Sequence, residues 1–280
     1  MSNELFRRLQ ELKKNIDYHL NNGKEIIEIS GGDPGEYEGI PDIIRYIRDN
    51  GGTPLLSTNG LSLGDKALAQ AVKSAGLVNA RIPLYGPYAD IHNAVTGNSE
   101  SFALSIRALK NMEDIGIPVL GQTLILQQNK EYLAGIFSLY KTVCPEMLRE
   151  ISCSIPCIAH PENFEENSDW YVPFKDLPDY AASLKSLLFQ SDSLIRFRDI
   201  PFCVFGTYHP NIINSPEAPD IGKQLPREEL RSKGNPEVPH YRIKVKISIC
   251  RTCDFNSNCA GFYKNDIDIY GPGNLRPLKK

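Results

Sequence analysis

Apolar residues recur at helical spacing from the start of the chain. Leu5, Leu9, Leu12, Ile16 and Leu20 fall on one face, and Asn22-Gly23 supplies a stop. A short apolar run over Ile26 to Ile29 follows and ends at Ser30-Gly31-Gly32, which reads as a buried strand entering a tight turn. The alternation then repeats. Helices are predicted from Pro41 to just before Gly51, from Ser62 to Ala75, from Phe102 to Ile115, over Tyr132 to Tyr140 and around Tyr180 to Phe189. Strands are predicted over Pro54 to Ser57, Asn79 to Tyr85, Ile117 to Leu126, Glu150 to Ile158 and Leu194 to Arg198.

Helices alternating with strands argue for a parallel sheet with helical crossovers, either open or closed as a βα barrel. In both, ligands bind at the carboxyl ends of the strands, so chemistry is sought in the loops that follow them. The periodicity stops near residue 200. Residues 201–280 are rich in Pro, Gly, Asn and charge, yet hold four of the seven cysteines. Two domains are therefore expected, 1–200 as the α/β part and 201–280 as a small irregular extension. So little apolar area calls for a metal staple.

Composition narrows the classes. A net charge of −3 offers no basic surface for nucleic acid, and no apolar run approaches the roughly 20 residues that span a membrane. The charged N-terminal segment lacks a signal-peptide core, so a cytoplasmic protein is expected. In that reducing compartment, clustered cysteines point to metal or redox chemistry rather than a disulfide framework.

The loops carry an ordered series. Gly31-Gly32-Asp33-Pro34 ends the first strand, where glycines let a ligand approach the backbone and a carboxylate can hold an ammonium group. A lone Gly-Gly is more often just a turn. Here Ser57-Thr58-Asn59-Gly60, then Leu84-Tyr85-Gly86 with His92 and Gly97, Ser101-Phe102 and Asn129 follow in order. Over about residues 25 to 130 this set resembles the radical S-adenosylmethionine (SAM) superfamily. The resemblance implies a partial (β/α)6 TIM-like barrel. It also implies that Gly31, Gly32, Asp33 and Pro34 hold the amino group of SAM, with Ser57 and Asn59 beside its carboxylate and ribose. Pro83 and Tyr85 stand where the family often has Ser-x-Asp. His92 is read either as a polar contact or as a packing histidine.

The family's C-x3-C-x2-C loop, whose thiolates hold the SAM-cleaving [4Fe–4S] cluster, would follow the barrel's first strand. No cysteine lies between Met1 and Gly31. The expectation is that this strand and loop are absent from the chain rather than mutated, with the protein extending upstream; loss of the radical cluster is the alternative. Cys153-x3-Cys157-x2-His160 has a similar spacing, but a period of two puts Cys153, Ile155 and Cys157 on one face, as in an ordinary core. Cys144 reads as a lone packing residue.

In the tail, Cys250-x2-Cys253-x5-Cys259 joins Cys203 as a possible four-thiolate set. Such a set suits tetrahedral zinc or an iron–sulfur group, and spacing alone does not choose. The tail is similar to the auxiliary-cluster (SPASM/twitch-like) extension of radical SAM maturases, which implies one auxiliary [4Fe–4S] cluster. With all four cysteines bound, electron transfer or structure would be its role. The resemblance further implies an oxidoreductase or maturase generating a 5′-deoxyadenosyl radical. Its substrate would be a peptide or a cofactor precursor, and its electron donor a flavodoxin or ferredoxin. A non-catalytic iron–sulfur or zinc protein on a relic barrel is the rival reading.

Overall fold

Pro41 near the start of one helix and Gly51 just past its end illustrate how local signals shape the fold. The helix they bracket runs Ile40–Asp49, with Asn50 as its C-cap. The structure is a computed structural model that describes residues 3–158, 168–173, 176–177, 194–214 and 244–280. In chain order its elements are α1 (Asn3–Asn21), β1 (Ile26–Ile29), α2 (Ile40–Asp49), β2 (Thr53–Ser57), α3 (Lys66–Ala75) and β3 (Asn79–Pro83). Then come α4 (Ala89–Thr96), α5 (Ser101–Ile115), β4 (Val119–Leu124), α6 (Leu133–Val143) and β5 (Leu148–Ser154). Beyond these lie β6 (Ile195–Arg198), α7 (Phe202–Phe205), β7 (Ile212–Ile213), β8 (Lys244–Val245), β9 (Phe262–Tyr263) and α8 (Lys264–Tyr270).

Strands β1 to β7 form one sheet in chain order. The register is parallel from β1 to β4, with Glu28 opposite Leu55, Leu56 opposite Ala80, and Ile82 opposite Gly121. This is the α/β, partial-barrel architecture expected. The predicted strands are all present within a few residues of their expected limits. The fifth ends at Ser154 rather than Ile158, because Pro156 removes a ladder donor. β7, parallel to β6, was not expected. It holds only two apolar residues between Asn211 and Asn214, too few to show a period. The expected helix Tyr180 to Phe189 lies outside the described residues.

The chain divides into two compact units: residues 1–123 with 134–151, and residues 124–133 with 152–280. The sequence suggested domains of 1–200 and 201–280. In the first unit, α2 buries Ile43, Ile44 and Ile47, all nearly inaccessible, and Leu55 and Leu56 of β2 and Ala80 and Ile82 of β3 are buried as well. Burying each such aliphatic side chain is worth about 1.5–3 kcal/mol. Ile27 and Ile29 of β1 pack on the cluster of Ile16, Ile43 and Ile47, while Ile26, on the edge strand, is 66% exposed. Buried Tyr140 of α6 donates its hydroxyl proton to the Ile82 carbonyl (2.7 Å) and accepts from the Gln122 N–H (3.1 Å), tying the ends of β3 and β4. In the second unit, Phe197 of β6 and Phe205 of α7 meet edge to face at 5.0 Å in a core that includes Phe202 and Phe262.

Candidate functional site

In the first unit, β1 runs directly into Gly31 and Gly32, whose φ angles are +102° and +60°. Left-handed backbone at two successive residues is easy only for glycine, and both stand exposed. Asp33 caps the short turn Pro34–Glu36 and accepts the Gly35 N–H at 3.2 Å. The same carboxylate accepts the Thr58 hydroxyl and, at 3.3 Å, the Ser62 hydroxyl. Asp33 thus ties the glycine turn to the loop after β2, and it does so mainly through Thr58, to which the sequence assigned no role of its own. Pro34 is buried under the turn. Ser57 is half-buried at the end of β2, and Asn59 is exposed beyond it, accepting the Leu61 N–H at 2.9 Å. The structure therefore brings Gly31, Gly32, Asp33 and Pro34 to the end of β1 and Ser57 and Asn59 to the end of the neighbouring β2, joined through Asp33 and Thr58.

His92 is a packing residue. It lies 1% exposed on α4, its ring 5.8 Å from that of Tyr85 and 5.7 Å from that of Phe102. Its Nδ1 accepts the Tyr85 N–H at 3.2 Å, and burial pushes its pKa down to about 4, so it is neutral at physiological pH. Ser101 belongs to a cluster with Asn93 and Thr96, and Asn93 also accepts the Phe102 N–H, fixing how α5 begins. Cys144 is buried, and its thiol is pushed up to about 12 by burial and by Glu113 beside it.

In the second unit, Asn129 bonds the Leu126 N–H and the Leu124 carbonyl, both at 2.9 Å, and closes the loop after β4. Cys153 is buried and its thiol is raised by burial, as a core residue would be; Cys157 is half-buried, and His160 lies outside the described residues.

The other four cysteines meet. Cys203, Cys250, Cys253 and Cys259 all line one pocket, with Phe202, Lys246 and Phe262 among its walls. All four thiols are free of disulfides. Cys250 and Cys253 sit at the middle and the end of a 3₁₀ turn, Ser248–Thr252. Residues three apart are eclipsed in that geometry, so both sulfurs face the same way. Cys203 comes from α7, capped by Pro201. Burial pushes the Cys203 thiol up to about 12, with Cys259, Cys250 and Cys253 acting in the same direction. A thiol raised in this way becomes a thiolate only beside a cationic centre.

Cys259 is held most closely. Its Sγ accepts the Asn214 amide at 3.3 Å and the Gly261 N–H at 3.4 Å, and its carbonyl accepts the Lys246 ammonium. Asn214 and Lys246 carry no sequence signal, whereas Gly261 follows Cys259 in the Cys259-Ala260-Gly261 run of the tail. Among the described residues, no three His, Cys, Asp or Glu side chains stand close enough around one point to hold a single metal ion. Four free thiols lining one pocket, one of them receiving N–H donors, form a donor set that suits a tetrahedral zinc or an iron–sulfur group. No cysteine precedes Cys144, so the sequence around the glycine turn supplies no thiol of its own.

Comparison with known proteins shows what the first half of the chain is similar to. The model of the Radical SAM superfamily matches residues 2–140. An AdoMet-dependent heme synthase of Oleidesulfovibrio alaskensis is 26% identical over 175 residues, 59% of this chain and 45% of the relative. An Fe-coproporphyrin III synthase of Methanosarcina barkeri is 31% identical over 130 residues, 46% of this chain and 32% of the relative. The chain thus spans less than half the length of these curated relatives. Among solved structures, anSMEcpe with bound AdoMet and a Cp18Cys peptide superposes with a TM-score of 0.64 at 14% identity, over 95% of this chain and 84% of that one. Streptococcus suis SuiB bound to the precursor peptide SuiA gives a TM-score of 0.62 at 12% identity, over 97% and 68%. At such identities the likeness is one of fold.

Proposed function

The chain belongs to the radical SAM superfamily, and from that premise we propose that it binds SAM at the glycine turn and carries one auxiliary [4Fe–4S] cluster on Cys203, Cys250, Cys253 and Cys259. The whole protein would be an oxidoreductase or maturase acting on a peptide or a cofactor precursor, with a flavodoxin or ferredoxin as electron donor. The observation that carries this reading is the convergence of four free thiols on one cavity beside a superfamily sheet. The tetrapyrrole enzymes among the relatives favour a cofactor precursor, and the peptide complexes among the structural neighbours favour a peptide.

SAM and iron–sulfur clusters supply one-electron chemistry when bound. The residues here do the positioning. Gly31 and Gly32 offer backbone without side-chain obstruction, and Asp33, fixed by Thr58 and Ser62, gives the turn one shape and a negative charge for an ammonium group. Ser57 and Asn59 present polar atoms at the adjacent strand end. At the second site, four thiolates would satisfy every iron of a cubane and leave none open to substrate, which favours electron transfer or a structural role. No step is assigned to a SAM-cleaving cluster, since no thiol neighbours the glycine turn in sequence.

Anaerobic reconstitution tests the reading. The chain should take up about four irons. Cys250→Ala and Cys253→Ala should lower that content and expose residues beyond Pro201 to protease, while SAM binding by equilibrium dialysis persists. Cys144→Ala should change none of these. Stoichiometric zinc without iron in anaerobically isolated protein would overturn the cluster in favour of a structural zinc.

A further inference from the structure

The residues around Cys259 form a polar chain whose order is set by chemistry. We propose that Asn214, oriented by Lys244, holds Cys259 in the thiolate set and raises the reduction potential of the auxiliary cluster. The inference rests on the cluster reading above and deepens it.

Asn214 is 1% exposed at the end of β7, and each polar atom of its amide has a partner. The two Nδ2 hydrogens are directed to the Cys259 Sγ (3.3 Å) and the Gly261 carbonyl (3.0 Å). The Oδ1 accepts the Lys244 ammonium at 2.7 Å. Turning the amide over would set its N–H groups against the ammonium and its oxygen against both a sulfur and a carbonyl. The hydrogen-bond network therefore fixes which atom is nitrogen, and one N–H must face the sulfur.

Lys244 is itself held. It pairs with Asp199 at 2.5 Å, and its Nζ lies 5.2 Å from the centroid of the Tyr263 ring. Asp199 adopts a left-handed φ of +64° directly after β6, and its N–H donates to the Ile213 carbonyl at 2.9 Å. The main chain of Asn214 also grips the cysteine loop, since its carbonyl accepts the Ala260 N–H at 2.6 Å. Asp199, Lys244 and Asn214 come from three separate stretches of sequence and end on one sulfur.

The electrostatic consequence has a definite sign. A cluster gains negative charge on reduction, so an N–H pointed at a ligating sulfur stabilises the reduced form more than the oxidised one and raises the potential. The charge of Lys244 is largely cancelled by Asp199. Its part is to keep the amide from turning, so Lys244 is a positioning residue with a smaller effect than Asn214.

The test is an EPR-monitored redox titration of the full 280-residue chain after anaerobic reconstitution, with iron content measured on the same samples. Asn214→Leu removes the donor at similar volume and should move the midpoint to a more negative potential. Lys244→Met should move it the same way by less. Midpoints equal to that of the unaltered protein, with full iron in both variants, would refute the inference and leave the cluster reading intact. Should Asn214→Leu lose its iron, Lys244→Met decides: an unchanged midpoint refutes the inference and a negative shift supports it. An unaltered chain that takes up no iron would instead overturn the cluster reading, and this inference with it.

Discussion

Asp266 gives the sharpest energetic prediction. It sits in the first turn of α8, 4% exposed, and among the described residues its Oδ2 has no hydrogen-bond partner. Tyr171 and Tyr270, which interact with it, and Asp176 beyond Tyr270, are all acids. Burial raises its pKa from the ordinary 3.8 to about 7, with its own N–H opposing the rise. The folded protein therefore keeps this proton over a pH range in which the unfolded chain releases it. Stability from this group is intact below about pH 4, falls as pH rises towards 7, and then levels off. Each tenfold step in that equilibrium is worth about 1.4 kcal/mol, so the penalty is about 1.5 kcal/mol at pH 5 and about 4 kcal/mol at pH 8. Asp266→Asn keeps the shape and removes the charge. Relative to the parent, it should gain about 2–3 kcal/mol more at pH 8 than at pH 5. Glu113, whose pKa is lowered, tilts stability the opposite way, but it is present in both proteins and cancels in the comparison. Urea unfolding followed by circular dichroism at the two pH values measures the gap. A gap that does not change with pH, or an Asn variant less stable than the parent at pH 8, would refute the reasoning.

Tyr140→Phe should destabilise the first unit by about 2–3 kcal/mol, because it strands a buried carbonyl of Ile82 and the N–H of Gln122; thermal unfolding reads this. Gly261→Ala should abolish iron retention, since a Cβ there would lie 2.2 Å from the Val245 carbonyl oxygen at a φ of +93°, parting β8 from β9 beside Cys259. Under anaerobic reduction with dithionite the 280-residue chain should release no 5′-deoxyadenosine, as no cysteine precedes Cys144; its appearance by chromatography would redirect attention to Cys153, Cys157 and His160.

The strands and the glycine turn were legible because each apolar run ends at a residue with a conformational job, such as Gly31-Gly32 or Asn59-Gly60. Helix α4 was not foreseen. Its eight residues bury only His92 and Val95, too little for a helical period to stand out. Cys153 and Ile155 were readable as core from their alternation, and both are buried. The cysteine set was visible as spacing, but its convergence depends on α7 and on the loops around Asn214, which have no periodicity. Asn214, Lys244 and Asp266 were invisible for a different reason. Their importance comes from what surrounds them after folding, and nothing in a lone Asn, Lys or Asp encodes that.

Strand order bears on how the protein is made. Each of β1 to β7 neighbours its successor in the chain, so every pairing closes a modest loop, and a nascent chain can add strands one after another as it leaves the ribosome. The thiols follow a different schedule. Cys203 emerges with β6 already complete, whereas Cys250, Cys253 and Cys259 emerge only after β7. Loading of the proposed cluster would then be a late event on a largely assembled sheet. With that proposed cluster unloaded, the species that accumulates should be a folded first unit with an open tail, the form most exposed to quality-control proteases.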